Sequence, residues 1–524
     1  MEFHLITLYN ITKNKSFLNT TTMKQLLILS LAFLAVTGCR KVEADGEKQI
    51  VIINGGGGGS TAPTANTVTL SGRITRDTTL LAKDLNYLSG LVYITKGVTL
   101  TVEAGAKVMG QYSGADVSAL IICRGAKIIA KGTVDKPIIF TSASANPQSG
   151  DWGGIVLCGT APINTSFTVN GAAVSGLYQV EGGVDNANGD GLAGAGDAAF
   201  PTANPADNSG VIQYVRIEYA GYAYQPDKEI NSLTMAAVGN GTTIDHVEAA
   251  FGKDDSFEWF GGTVNCKYLI AYKGQDDDFD TDNGYSGNVQ FGIGIRDSAI
   301  ADISKSEAFE SDNNATGTTA SPKTSAVFSN MTVIGPRATL SNVGNSLFLA
   351  GAQIRRNSGI SIQNSIFMGW PTALLIDAGL GSPTDLNIAD STIRFKNNTL
   401  AGNTVNVKYT ASTSAPTGAN DASMLAWVST ASYQNAITTN AVDAKLIQPY
   451  NYSMFDATPY AGTAAPAAGN LTLGSAAYFN YASNGSFTDS KLQNAFFKPV
   501  TFRGAIGLNG EDATWWKGWA KFSY

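Results

Sequence analysis

The sequence predicts an all-β fold, a right-handed parallel β-helix solenoid with long side loops and a C-terminal cap, on three observations. From Val68 onwards, short β-branched runs are punctuated by glycine and show no helical period. A phrase of one apolar residue, two polar residues and then alternating apolar residues recurs. It starts at Ile212, Ile244, Val264, Phe328, Ile362 and Phe395. An acidic phrase also repeats. Asp254 and Asp276, Asp255 and Asp277, Phe257 and Phe279, and Glu258 and Asp280 all stand 22 residues apart. Phe309 and Glu310 continue the phrase after a longer offset of 30. A fixed period in the twenties marks a solenoid, in which each unit stacks on the last.

Composition supports this reading and narrows the function. The 524 residues include 57 glycines and are only 15% charged, which suits strands and turns better than long charged helices. A net charge of −7 offers no basic surface for nucleic acid. The two histidines are His4 and His246, so zinc binding or catalysis by several histidines is excluded. His246 itself reads as a rung side chain.

The chain divides in order. Residues 1–22 carry no targeting logic and read as an upstream leader. Residues 23–38 read as a signal peptide: Met23-Lys-Gln precedes the apolar run Leu26–Val36, which is too short to span a bilayer. The run ends Val36-Thr-Gly-Cys39, and this resembles a bacterial lipobox. The resemblance implies acylation of Cys39 and a membrane anchor through its lipid. Residues 39–67 read as a flexible tether, with five glycines at Gly55–Gly59. Acidic residues soon after Cys39 resemble the export signal of lipoproteins on the outer face of the outer membrane.

The solenoid is expected over residues 68–484. A polar insertion at about 161–209 reads as a loop. Within it Asn186–Asp197 is a degenerate match to a twelve-residue calcium loop, and a solvated loop is the preferred reading. Residues 403–480 are less regular and read as side loops or a short helix around Asn440–Leu446. Residues 485–524, with Trp515, Trp516 and Trp519, read as a cap over the open last rung.

Several phrases together resemble one family. Gly97-Val-Thr-Leu-Thr-Val-Glu-Ala-Gly-Ala106, Lys136-Pro-Ile-Ile-Phe-Thr-Ser142, Gly150-Asp-Trp-Gly-Gly154, Asn208–Gly221 and the acidic phrases are similar to bacterial parallel β-helix lipoproteins. The resemblance runs from about Val68 to the C-terminus. It implies a pectate-lyase-like solenoid and no settled activity. Proteins of this kind sometimes carry the label "multidrug transporter"; no multispan hydrophobic pattern here supports it.

The acidic stretch is the candidate site. Neighbouring strands lie about 4.8 Å apart, so the offset places Asp255 over Asp277, and Glu258 over Asp280 and Glu310. Two such charges repel by ~1 kcal/mol in water and ~3.5 kcal/mol at an effective dielectric near 20. Calcium takes six to eight oxygens, and Asp255, Glu258, Asp277, Asp278, Asp280, Asp282 and Glu310 supply them. The alternative is a hydrated acidic turn. Trp259 and Tyr285 are expected to stack on a glycan, with Lys273 and Arg296 as charged neighbours. Phe257, Phe279 and Phe309 read as a core ladder.

The expected function is a cell-surface binding or structural module for glycan or matrix. The alternative is a polysaccharide lyase or glycoside hydrolase, for which two carboxylates suffice in principle. Neither a His-Gly nor an Arg-Ile-Lys motif accompanies the paired aspartates. Cys123, Cys158 and Cys266 are expected as buried thiols, with one disulfide as the alternative.

Overall fold

Strands of the repeated phrase pair side by side, all in one direction. Thr243–Ala250 lies between Gly210–Glu218 and Asn265–Tyr272, with Ile244 opposite Ile212 and Cys266. Asn288–Ile295 and Val327–Ile334 extend the same stack. Each of these long strands bends halfway, at a residue with positive φ: Tyr214, His246, Tyr268, Phe291 and Asn330. The bend splits one strand between two sides of the solenoid. The third side is built from Leu233–Ala236, Phe257–Phe260, Phe279–Asp282 and Phe309–Ser311. The expected parallel β-helix is therefore the fold.

The computed structural model describes residues 49–53, 65–114, 117–225, 228–336, 344–446 and 484–524. The leader, the signal peptide, Cys39 and the glycine run Gly55–Gly59 lie outside these residues. Among the described residues, no helix is long and apolar enough to cross a membrane. The tether expected over 39–67 needs correction, because Gln49–Ile53 forms a strand antiparallel to Thr67–Ile74.

Period-two alternation fills the interior. Phe257, Phe279 and Phe309 point inward in register, and their ring centroids stack at 5.8 and 5.3 Å. They are fully buried. Cys123, Cys158 and Cys266 are free and buried, as small apolar residues would be.

The 161–209 insertion is more than a plain loop. It forms two hairpins, Ser166–Val169 with Ala172–Ser175 and Leu177–Gln179 with Leu192–Gly194. The Asn164 amide nitrogen donates to the carbonyls of Asn313 (2.8 Å) and Pro322 (2.9 Å). Two acids of the calcium-loop match are already paired, Asp190 with Arg73 at 2.7 Å and Asp197 with Arg124 at 2.6 Å. The chain re-enters the solenoid at Gly210 with φ +114°. A Cβ there would lie 1.9 Å from the carbonyl oxygen of Ile128, so only glycine fits.

The C-terminal segment also departs from expectation. It runs along the flank of the solenoid instead of over its last rung. Ser486 donates its N–H to Asn364 Oδ1 (2.8 Å), Ala505 to Thr332 Oγ1 (2.9 Å) and Lys521 to Glu248 Oε2 (2.9 Å). The bends explain this. Tyr214, His246, Tyr268 and Phe291 stack outward at 4.3, 4.4 and 5.1 Å, leaving an aromatic surface that Trp515 and Trp519 cover. Near the far end, the helix Asp421–Val428 packs Met424 and Val428 onto the core. The segment read as helical around Asn440–Leu446 holds a short 3-10 turn, Ala441–Ala444.

Candidate functional site

The outward column of the third side changes character along the solenoid. In register it reads Tyr93, Ile121, Val156, Thr234, Glu258, Asp280, Glu310 and Gln353. Its apolar half packs against Val180 and Val184 of the insertion. Beyond Thr234 the same column turns acidic. Glu258 is outward for the reason that Phe257 is inward: successive residues of a strand face opposite sides.

A second acidic column runs beside it, at the turn entering each strand. The Asp277 N–H donates to Asp255 Oδ1 at 2.8 Å, and the Glu307 N–H donates to Asp277 Oδ1 at 2.6 Å. The two columns bring carboxylates together in three groups, in each of which one ligand oxygen per residue lies within 4.8 Å of the others. They are Asp254–Asp255–Asp276, Asp255–Glu258–Asp280 and Asp277–Glu307–Glu310.

These carboxylates are poorly compensated. Asp255, Glu258, Asp277 and Glu307 are buried. Arg355 bonds Glu310 and Asp312, and Arg356 bonds Asp312 at 2.6 Å. Asn231 donates to Glu258. Asp276 Oδ1, Asp280 Oδ1 and Glu307 Oε2 are buried without a hydrogen-bond partner. Burial, followed by repulsion from neighbouring carboxylates, pushes Asp255, Glu258, Asp277 and Asp280 well above the usual carboxylate range. Glu310 is raised well by burial too, against the opposing pull of Arg355. Burial likewise raises Asp282 to about 8. The carboxyl group of Glu181 in the insertion interacts with that of Glu258, and the Glu307 carboxyl lies within 4.8 Å of that of Asp277. Two carboxyl groups make such a contact only if they share a proton or a cation.

The predicted site residues have different fates. Asp255, Glu258, Asp277, Asp280 and Glu310 converge. Asp282 belongs to none of the three groups; after burial, repulsion from Asp312 is what raises it. Asp278 leaves the set: it pairs with Arg296 at 2.8 Å, both side chains fully buried. Arg296 is therefore not a charged neighbour open to a ligand. Trp259 and Tyr285 are corrected outright. Both are fully buried in the core, 5.3 Å apart, and present no face to a glycan. Trp259 follows Phe257 by two residues and so shares its inward side. Lys273 sits 3.5 Å from Asp297.

Sequence reasoning missed Glu181, Glu307, Arg355 and Arg356. For Glu307 a signal existed. It precedes Phe309 by two residues, as Asp277 precedes Phe279. No local pattern marks Glu181, whose contact with Glu258 depends on how the insertion folds back.

Comparison with known proteins agrees with this architecture. Residues 72–445 match the family model of the pectate-lyase like beta helix domain. The chain belongs to this family. In this pectate-lyase-like β-helix protein the match spans every rung that builds the acidic columns. No curated protein and no solved structure matches the chain.

Proposed function

We propose that this pectate-lyase-like β-helix protein is a lipid-anchored outer-membrane module that binds glycan or matrix and is held in shape by calcium on its acidic columns. The single observation that carries the calcium reading is the crowding of carboxylates in three groups, of whose members Arg355 bonds only Glu310. Removing an ion from water has an effective cost of several kcal/mol unless it is paired. A hard divalent cation with oxygen ligands answers that need. The membrane anchor rests on Cys39 in its lipobox.

Glycan binding moves away from Trp259 and Tyr285. A cleft of about 330 Å3 opens between the insertion and the 314–320 loop, lined by Asn164, Thr165, Ser166, Ser175, Asn283, Asn314, Thr316 and Thr318. Amides and hydroxyls without charge suit a neutral, hydroxyl-rich ligand. The cleavage reading is weaker. Glu258 meets Glu181 of the insertion, and Arg296 and Lys273 are engaged with Asp278 and Asp297. The test is a glycan array with and without calcium, run beside a screen for reducing ends and unsaturated products. Calcium-dependent retention without products supports binding; products would move the protein to the lyases or hydrolases.

A further inference from the structure

We infer that the acidic columns hold two separate cations, and that Asp277, Glu307 and Glu310 form the second centre with Glu307 as its innermost ligand. This inference rests on the calcium reading above and extends it to a residue that lies outside the 22-residue offset and that the family match does not assign.

Two of the three carboxylate groups share no residue. Asp255 and Glu258 on one rung are joined by Asp280 from the next. Glu307 and Glu310 on the third rung are joined by Asp277 from that same middle rung. Asp277 and Asp280 thus divide between the centres, one facing each way along the solenoid. The remaining group, with Asp254 and Asp276, reuses Asp255 and adds no independent centre.

One ion cannot serve both centres. A calcium shell has oxygens at about 2.3–2.6 Å, so any two of its ligands lie within about 5 Å of each other. Within each centre the ligand oxygens meet this limit, at 4.8 Å or less. No group joining all six residues does.

Glu307 supplies the independent sign of a ligand. Its side chain is 1% exposed, and its Oε2 is buried with no hydrogen-bond partner. Its own N–H is spent on Asp277 Oδ1 at 2.6 Å, which fixes the two carboxyl groups side by side. A buried, ionised and unpartnered carboxylate oxygen is unfavourable. A cation bound between Asp277 and Glu307, with Glu310 as third ligand, satisfies it. Arg355 binds Glu310 and Asp312 and sets the outer limit of the centre.

The experiment is calcium titration of the whole chain by isothermal calorimetry, with native mass spectrometry to count bound ions. Wild type should bind at least two ions. Glu307→Gln should lose one and keep the other; Glu258→Gln should lose the complementary one. If Glu307→Gln keeps the wild-type stoichiometry, the second centre is overturned while the calcium reading stands. If wild type binds no calcium, both fall, and the Asp277–Glu307 contact is a shared proton. Circular dichroism checks that each variant folds. Should Glu307→Gln not fold, the wild-type ion count decides: a single bound ion overturns the inference.

Discussion

Glu258 and Asp280 face each other on adjacent parallel strands, both outward, with an oxygen of each inside a shared 4.8 Å group that includes Asp255. If both are ionised and unneutralised, the pair repels by roughly 1–3.5 kcal/mol. A cation bound only to the folded state adds about 2.7 kcal/mol at 100 times its dissociation constant. Calcium should therefore raise the melting temperature and EDTA should lower it. Glu258→Gln with Asp280→Asn should blunt that response and stabilise the metal-free protein relative to wild type. Identical wild-type melting curves in millimolar calcium and in EDTA would reject a structural cation.

Arg355 balances the end of the ladder. It bonds both Glu310 and Asp312, with its side chain 24% exposed. Breaking a buried pair costs about 3–5 kcal/mol; partial exposure reduces this to about 2–3 kcal/mol for Arg355→Ala. Adding Glu310→Gln should recover part of the loss, because it removes the stranded charge. A double variant no more stable than Arg355→Ala in urea would show that the arginine acts through packing alone.

The Phe257–Phe279–Phe309 stack was legible because a 22-residue repeat and period-two alternation fix both register and side. The same alternation places Trp259 inside, so an aromatic beside acids on a strand need not be a sugar platform. Glu307 was obscured by the lengthened turn before Phe309, which breaks the 22-residue count but preserves the spacing to phenylalanine. Glu181 was not legible at all, since its meeting with Glu258 is made by two hairpins folding back. The flank position of the C-terminal segment was hidden for another reason. Outward aromatics at Tyr214, Tyr268 and Phe291 follow from the bend in each strand, and the sequence shows the residues but not the bend.

The anchor is tested at Cys39. Cys39→Ser removes the acyl acceptor, so the variant should lose radiolabelled palmitate incorporation and move from the membrane to the soluble fraction. Continued lipidation and membrane association would reject the lipobox reading.

The flank segment supplies a pH test away from the acidic columns. Glu248 is fully buried, and its carboxylate oxygens accept hydrogen bonds from the Lys521 N–H at 2.9 Å and the Tyr524 hydroxyl at 3.3 Å. Burial pushes its carboxyl from 4.5 up to about 8, against the opposing pull of Lys521 and Arg216. Below the unfolded value both states are protonated, and Glu248 adds no pH dependence. Between 4.5 and about 8 the unfolded chain has released the proton while the folded chain keeps it. Stability therefore falls as pH rises through this window, by about 1.4 kcal/mol per pH unit from this group, and levels off above it. Glu248→Gln removes the term. Its stability relative to wild type should climb steadily from pH 5 to 8 in urea titrations. A difference between the two proteins that is constant over that range would show that Glu248 is ionised in the folded protein.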